Sequence, residues 1–527
     1  MMNKTTRGIA ACALTAALGM GGLFAGAAPA LADPAAAEQG TITVTTTEGN
    51  AGVSYSAIQI IKADVDSAGK ATHITWASDE VKAAVEGAIR AEDPAYAGTT
   101  AQDAADFIAA HIAGTNSTTI LANTDFGNKL ADAVDGIAGT AVAAGTASTL
   151  DEGWWLLVTD GSSLGTGAAG TSPIFALINK DVPVSITEKV SVPTVQKEIK
   201  EDSTGEWGTI ADSAVGQDVD YRLTGTVSGN IATFDTYSYK FNDLIDDGLT
   251  LDGTSSVRVT VDDVDVTDQA DIKLVGQRLT VSFDNLKALD GVTVDADTTV
   301  VVTYTAHLND AVAIGEPGNK NTVRIEYSNN PNHEGTGTTV EKTVKDFAFG
   351  FTIVKKDKVT DALLAGAKFI IKDSAGKYVQ EDGSMGDEPY EFTTDEYGEI
   401  SVIGLDADTY TIEETATPTG YEQIDTPITV TLVPEYDEEQ IELTSLSATF
   451  SGGEGDGVDA DGDGLVESGS GITYIEYGNV NLDITNDKQI VMPVTGLDGI
   501  TFTYVAGGAT LAISLAGLAL KGLRKEQ

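Results

Sequence analysis

One cysteine, four histidines and 31 basic residues in a chain of 527 leave little room for several kinds of chemistry. Against those few cations stand 80 acidic residues, for a formal charge of −49. Nucleic-acid phosphates need clusters of Lys and Arg, so this balance argues against a nucleic-acid partner. It equally disfavours anionic lipid surfaces and suits a soluble surface exposed outside a cell. The histidines (His73, His111, His307 and His333) show no metal-ligand spacing. No Gly-rich phosphate loop and no nucleophile elbow is found, so nothing points to a turnover enzyme. A secreted hydrolase with β accessory domains would need a catalytic constellation in the first 192 residues, and none is present. No repeat is regular enough for a solenoid.

The two ends carry addresses. Lys4 and Arg7 precede an apolar stretch over residues 9–28, and Ala30-Leu31-Ala32 is a small-x-small cleavage site. Residues 1–32 therefore read as a signal peptide, with the mature chain starting near Asp33. The lone Cys12 lies in the part removed, which excludes disulfides and requires any covalent staple to be of another kind. Residues 500–520 contain no charge and are long enough to cross a hydrocarbon core. Lys521, Arg524 and Lys525 follow, as a cytoplasmic stop should. A plain membrane anchor would need no more. Immediately before the span, however, stands Met492-Pro493-Val494-Thr495-Gly496. This Pro-x-Thr-Gly motif, apolar span and basic tail (residues 491–527) resemble the cell-wall sorting signal read by sortases, with Met492 in the place of the usual Leu. The resemblance implies cleavage between Thr495 and Gly496 and transfer of Thr495 to an amine.

Between the ends the chain is too long for one core, and roughly two to four domains are expected. Frequent Gly and polar turns between short Thr/Val-rich runs predict a mostly β chain of tandem immunoglobulin-like sandwiches. Residues 33–192 open with the alternation Thr41-Ile42-Thr43-Val44 and contain helix-like spacing over 78–89 and 101–112. Trp154-Trp155-Leu156-Leu157-Val158 reads as a buried strand in this domain with helical insertions. Residues 193–346 hold period-two runs at 221–227, 257–261, 279–283 and 299–304, bounded by Pro193 and the Asn/Pro/Gly-rich stretch 329–337. Residues 347–490 begin with Phe349-Gly350-Phe351-Thr352-Ile353 and end with Val480-Asn481-Leu482-Asp483-Ile484.

The third segment carries the clearest chemistry. Ile353-Val354-Lys355-Lys356-Asp357, Leu363-Leu364-Ala365-Gly366-Ala367-Lys368-Phe369 and Tyr410-Thr411-Ile412-Glu413-Glu414-Thr415-Ala416-Thr417-Pro418 together resemble the collagen-adhesin B-type domains of Gram-positive surface proteins; the last run is similar to the pilin E-box. The resemblance implies an isopeptide bond from Lys355 to Asn486, assisted by the acid Glu414. Residue chemistry is compatible. Lys355 shares a strand face with Phe351 and Ile353. A desolvated lysine favours its neutral, nucleophilic form, and a carboxyl group in such a core is pushed towards its protonated form, able to polarise an amide. Lys356 and Glu413, on the opposite strand faces, are the nearest alternatives.

The second segment is similar to the related A-type domain. Val195, Lys197 and Ile199 share one face, making Lys197 the nucleophile candidate. The resemblance implies that Asp243, in register with Tyr239 and Phe241, is the acid and Asn321 the acceptor, with Asn329 behind it. Val184-Ser185-Ile186-Thr187-Glu188-Lys189 matches the spacing of the pilin motif but lacks its Tyr and Pro; Lys189 is the candidate linking lysine, ahead of Lys180 and Lys197. Asp459-Ala460-Asp461-Gly462-Asp463-Gly464 matches the first half of a calcium loop. Ser470 stands where such a loop needs its bidentate Glu, so an acidic flexible loop is the competing reading. No cofactor is required by any of this. The resemblances imply the shaft subunit of a sortase-assembled pilus on a Gram-positive surface. Its partners would be a pilus-class sortase, identical subunits, minor pilins and peptidoglycan. A wall-anchored monomeric adhesin with a host receptor, or a base or tip pilin, is the alternative.

Overall fold

The computed structural model describes residues 38–46, 50–112, 124–188, 190, 192–332, 334–437, 441–451 and 478–489. The signal segment 1–32, Lys189, His333, the acidic loop with Asp459, Asp461 and Asp463, the motif from Met492 through Pro493, Val494 and Thr495 to Gly496, and the span 500–520 lie outside the described residues. The chain divides into two compact units: residues 1–348 with 436–443, and residues 349–435 with 444–527. Both are built of β-sheets, and among the described residues α-helices occur only in the first segment.

In that segment the strand Gly153–Thr159 is buried at every position, so its alternation serves two cores. Trp154, Leu156 and Val158 join Val81, Val85, Ile89, Ile108 and Phe126 from the helices. Trp155 and Leu157 point the other way, into a cluster with Ile42, Val44, Tyr55 and Ile186. The five-stranded sheet that contains this strand is thereby covered on one face by helices and on the other by the three strands Ser148–Asp151, Gln39–Thr45 and Val184–Thr187. Helix Asp79–Glu92 starts where Ser78 accepts a hydrogen bond from the Val81 amide at 3.1 Å, with Asp79 and Glu80 at the positive end of its dipole. Helix Ala101–Ile112 lies where the spacing places it; a third helix, Thr124–Ala133, was not expected.

The middle segment is a sandwich of two seven-stranded sheets around one apolar core. One sheet orders Val195–Lys200, Asp218–Thr226 and Thr299–Leu308 as neighbours; the facing sheet orders Lys342–Phe347, Asn319–Ser328, Tyr239–Ile245 and Arg278–Phe283. Asn329 and Asn332, in the stretch expected to mark an edge, bind back onto the first segment. Gly170 N donates to Asn329 O at 2.5 Å, Asn332 Nδ2 donates to Thr171 O at 3.4 Å, and Asn230 Nδ2 donates to Gly170 O at 3.0 Å. These bonds help gather the first two segments into one unit.

The second unit pairs its first strand, Phe349–Asp357, with Glu399–Leu405 on one side and, in parallel, with its last strand, Asn479–Asn486, on the other. A second sheet is centred on Lys368–Lys372, Thr409–Ala416 and Ile428–Tyr436. Phe351, Ile353, Phe369, Ile371, Val402, Tyr410 and Ile412 fill the space between them.

Candidate functional site

Among the described residues, two lysines are fully buried in strands, a position that lysine occupies only with partners. In the second unit, alternation turns Phe351, Ile353 and Lys355 inward, and the side chain of Lys355 has no exposure. Its backbone is fixed by Gly398, whose carbonyl accepts the Lys355 amide at 2.8 Å. Gly398 has φ +74°, and a Cβ there would meet the Lys355 carbonyl oxygen at 2.8 Å, so no other residue fits without displacement. The parallel register sets Asp357 against Asn486, which carries the Asn486 side chain to the end of Lys355. Lys355 Nζ contacts Asn486 Oδ1 and lies 3.4 Å from Glu414 Oε1. Glu414 arrives from the facing sheet with a side chain 1% exposed. Asn486 Nδ2 donates to both Glu414 oxygens at 3.1 and 3.2 Å and to Thr417 Oγ1 at 2.6 Å. Ile424 N donates to Glu414 Oε2 at 2.8 Å, fixing the carboxyl in place. The Phe369 ring underlies Lys355 Nζ, 5.6 Å from its centroid. The alternatives are engaged elsewhere: Lys356 pairs with Asp483, and Glu413 Oε1 accepts from Lys372 Nζ at 2.9 Å.

The middle sandwich assembles the same groups differently. Lys197 lies on one sheet, and Asp243 and Asn321 on the other. Lys197 Nζ is 2.5 Å from Asp243 Oδ1, and neither side chain is exposed. Tyr304 completes the cluster. Its hydroxyl donates to Asp243 Oδ2 at 2.5 Å and accepts from Lys197 Nζ at 3.1 Å and from Asn321 Nδ2 at 2.6 Å. Burial brings the Lys197 pKa down from 10.5 to about 8, although Asp243 acts in the opposite sense. A buried lysine with this value has an appreciable neutral fraction near neutral pH. Asn329 is also buried, but its backbone bonds run to Gly170 of the first segment and to Gly335 rather than to Lys197.

Sequence reasoning missed Tyr304 and Thr417. Tyr304 reads as one more inward aromatic in an alternating strand, and only the three-strand register reveals where its hydroxyl ends. It also missed Asp346, a carboxyl with no exposure held at 2.9 Å by Ser213 Oγ through both oxygens. Burial pushes its pKa well above the ordinary carboxylate range. No hydrogen bond joins Asp346 to Lys197.

In the first segment, the residue before Lys189 is anchored: Glu188 is buried, accepting from Tyr55 Oη and, at 3.2 Å, from Asn50 Nδ2. Lys180 is exposed and pairs with Glu38. Among the described residues, no group of three or more His, Cys, Asp and Glu side chains is placed to hold a metal ion.

An amine, a primary amide and a carboxyl group in mutual reach and out of water are the reactants for a transamidation that releases ammonia. No curated protein matches the chain by sequence. The fold is that of the T6 backbone pilin of serotype M6 Streptococcus pyogenes, which matches 87% of this chain over 100% of its own length with 14% identity and a TM-score of 0.54. The full-length major pilin SpaD of Corynebacterium diphtheriae aligns with 86% of the chain and 98% of its own at 15% identity and TM-score 0.47. Residues 349–446 match the SpaA prealbumin-like fold domain, and residues 215–331 match the Cna-B-like domain of Gram-positive pilin backbone subunit 2, so two segments of the chain are similar to domains of Gram-positive pilins.

Proposed function

We propose that this chain is the shaft subunit of a covalently joined pilus on a Gram-positive cell wall. A pilus-class sortase joins Thr495 of one copy to Lys189 of the next. Two internal amides, Lys355–Asn486 and Lys197–Asn321, take the place of the disulfides the chain lacks. The observation that carries this reading is the triad of Lys355, Glu414 and Asn486, an ionisable pair closed off from water with a side-chain amide against both members. Burying such a pair costs several kcal/mol per ion, and a function in bond formation explains why it is kept. The pilin-type domains matched over 215–331 and 349–446 support the same reading. Glu414 and Asp243 act once per molecule, as acids in a single turnover. The acidic loop at Asp459, Asp461 and Asp463 is a calcium-binding candidate within this scheme.

The test combines an intact mass with an immunoblot of wall extracts. The secreted chain is expected to weigh two ammonia molecules less than its sequence. Wall extracts are expected to show a high-mass ladder that collapses to a single band in Lys189→Ala. A chain with no missing ammonia overturns the internal bonds. A single band from the unaltered protein makes it a monomeric wall protein.

A further inference from the structure

In the second unit the acid touches the amide directly; in the middle sandwich it does not. No hydrogen bond joins Asp243 to Asn321, and a phenol hydroxyl stands between them. We propose that Tyr304 is a catalytic residue of the middle sandwich, passing a proton from Asp243 to the departing amide nitrogen of Asn321. This rests on the reading that Lys197 and Asn321 become joined.

The step balances without any further reactant. In the reactive form, the proton shared by Lys197 and Asp243 sits on the carboxyl group and Lys197 is a free amine. Lys197 Nζ adds to Cγ of Asn321 and gives up one proton to Asp243 Oδ1. The carboxyl proton moves from Oδ2 to the Tyr304 oxygen while the Tyr304 proton moves to Nδ2. The Cγ–Nδ2 bond breaks, ammonia leaves, and Asp243 and Tyr304 end as they began. Every transfer in this chain of donors runs along a contact already present, from 2.5 to 2.6 Å for the two that flank the hydroxyl.

Three features suit Tyr304 to the task. Burial, with Asp243 second, raises its pKa well above that of an ordinary phenol, so the hydroxyl keeps the proton it must donate. Its ring is held by stacking on Tyr221, with centroids 5.3 Å apart and planes 11° from parallel, in a directly paired register. Tyr221 is as deeply buried, but its hydroxyl has no hydrogen-bond partner among the described residues, so the pair supplies its own control.

The experiment uses the whole secreted chain and follows ammonia loss by intact mass, with peptide mapping to assign each cross-link. Tyr304→Phe is expected to slow formation of the Lys197–Asn321 link by roughly a hundredfold, the scale of a lost general acid. It should be isolated heavier by one ammonia, with Lys355–Asn486 formed normally. Tyr221→Phe is expected to carry both links at the normal rate. Tyr304→Phe forming the middle link at the unaltered rate overturns the proposal, as does an equal defect in Tyr221→Phe. Should Tyr304→Phe not fold, 3-fluorotyrosine placed at 304 alone keeps ring and hydroxyl while changing acidity; an unchanged rate then overturns the relay. Absence of the Lys197–Asn321 peptide from the unaltered chain is a different failure, that of the underlying reading.

Discussion

The two buried lysine sites use the same three functional groups on different frameworks. In the second unit, nucleophile and acceptor sit on adjacent parallel strands of one sheet, 131 residues apart in sequence, and the acid reaches in from the facing sheet. In the middle sandwich, nucleophile and acceptor face each other across the core, with the acid beside the acceptor. The first arrangement, once joined as proposed, would tie the two ends of a unit together. The second, once joined as proposed, would staple two sheets and leave the strand after the acceptor outside the staple. Lysine is long enough to serve both, because its stem packs in the core while only Nζ must meet its partners. What differs is how directly the acid meets the amide, and which strands a pulling force can reach.

The largest expected difference is therefore mechanical. Pulled through its ends, the second unit should not lengthen, since Phe349–Asp357 and Asn479–Asn486 would be joined at Lys355 and Asn486. The middle sandwich should release residues 322–347, including the strand Lys342–Phe347, as one step of roughly 90 Å at full extension. Single-molecule force spectroscopy on the whole chain reads both. Full unravelling of the second unit would break the comparison; Lys355→Ala is expected to produce that unravelling.

A smaller difference concerns pH. Asn321→Ala leaves Lys197 an amine, and burial holds its folded pKa at about 8 against 10.5 when unfolded. Between those values the unfolded chain binds more protons, so stability rises with pH across that window. Below pH 8 both states are charged, and a penalty of about 3 kcal/mol is fully present. The unaltered chain, with Lys197 as an amide, should show no such slope. Chemical denaturation from about pH 7 to pH 10.5 distinguishes them, and a flat profile for Asn321→Ala would count against the buried amine.

How these sites were legible follows from the range of each signal. Period-two alternation turned Lys197 inward with Val195 and Ile199, and Lys355 with Phe351 and Ile353; the burial patterns agree. The same local rule separated Glu414 from Glu413, whose side chain reaches Lys372 outside the core. Pairing Lys355 with Asn486 depends on a parallel register between the two ends of a unit, which no window of local sequence contains; only the likeness to a known domain type supplied it. Helix Thr124–Ala133 escaped because it is short and only Phe126 and Leu130 within it are large apolar anchors, with the smaller Ala131 beside them and Val134 just past its end. The double-faced burial of Gly153–Thr159 is why that run reads as uniformly apolar rather than alternating.

The finest test lies in Thr417, whose hydroxyl accepts a hydrogen bond from the nitrogen that the proposed reaction expels. If Asn486 Nδ2 has left as ammonia, Thr417 has no amide to accept from in the mature protein. Thr417→Val should then change the stability of the joined chain by less than about 0.5 kcal/mol, as an unremarkable half-buried substitution would. In a Lys355→Ala background Nδ2 remains, and the same substitution should cost about 1 kcal/mol, the net value of one hydrogen bond. The sign of the coupling is what matters, since removing the lysine makes a threonine 62 residues away in sequence more important rather than less. An ordinary buried salt bridge, with Nδ2 retained in both backgrounds, predicts equal costs in the two.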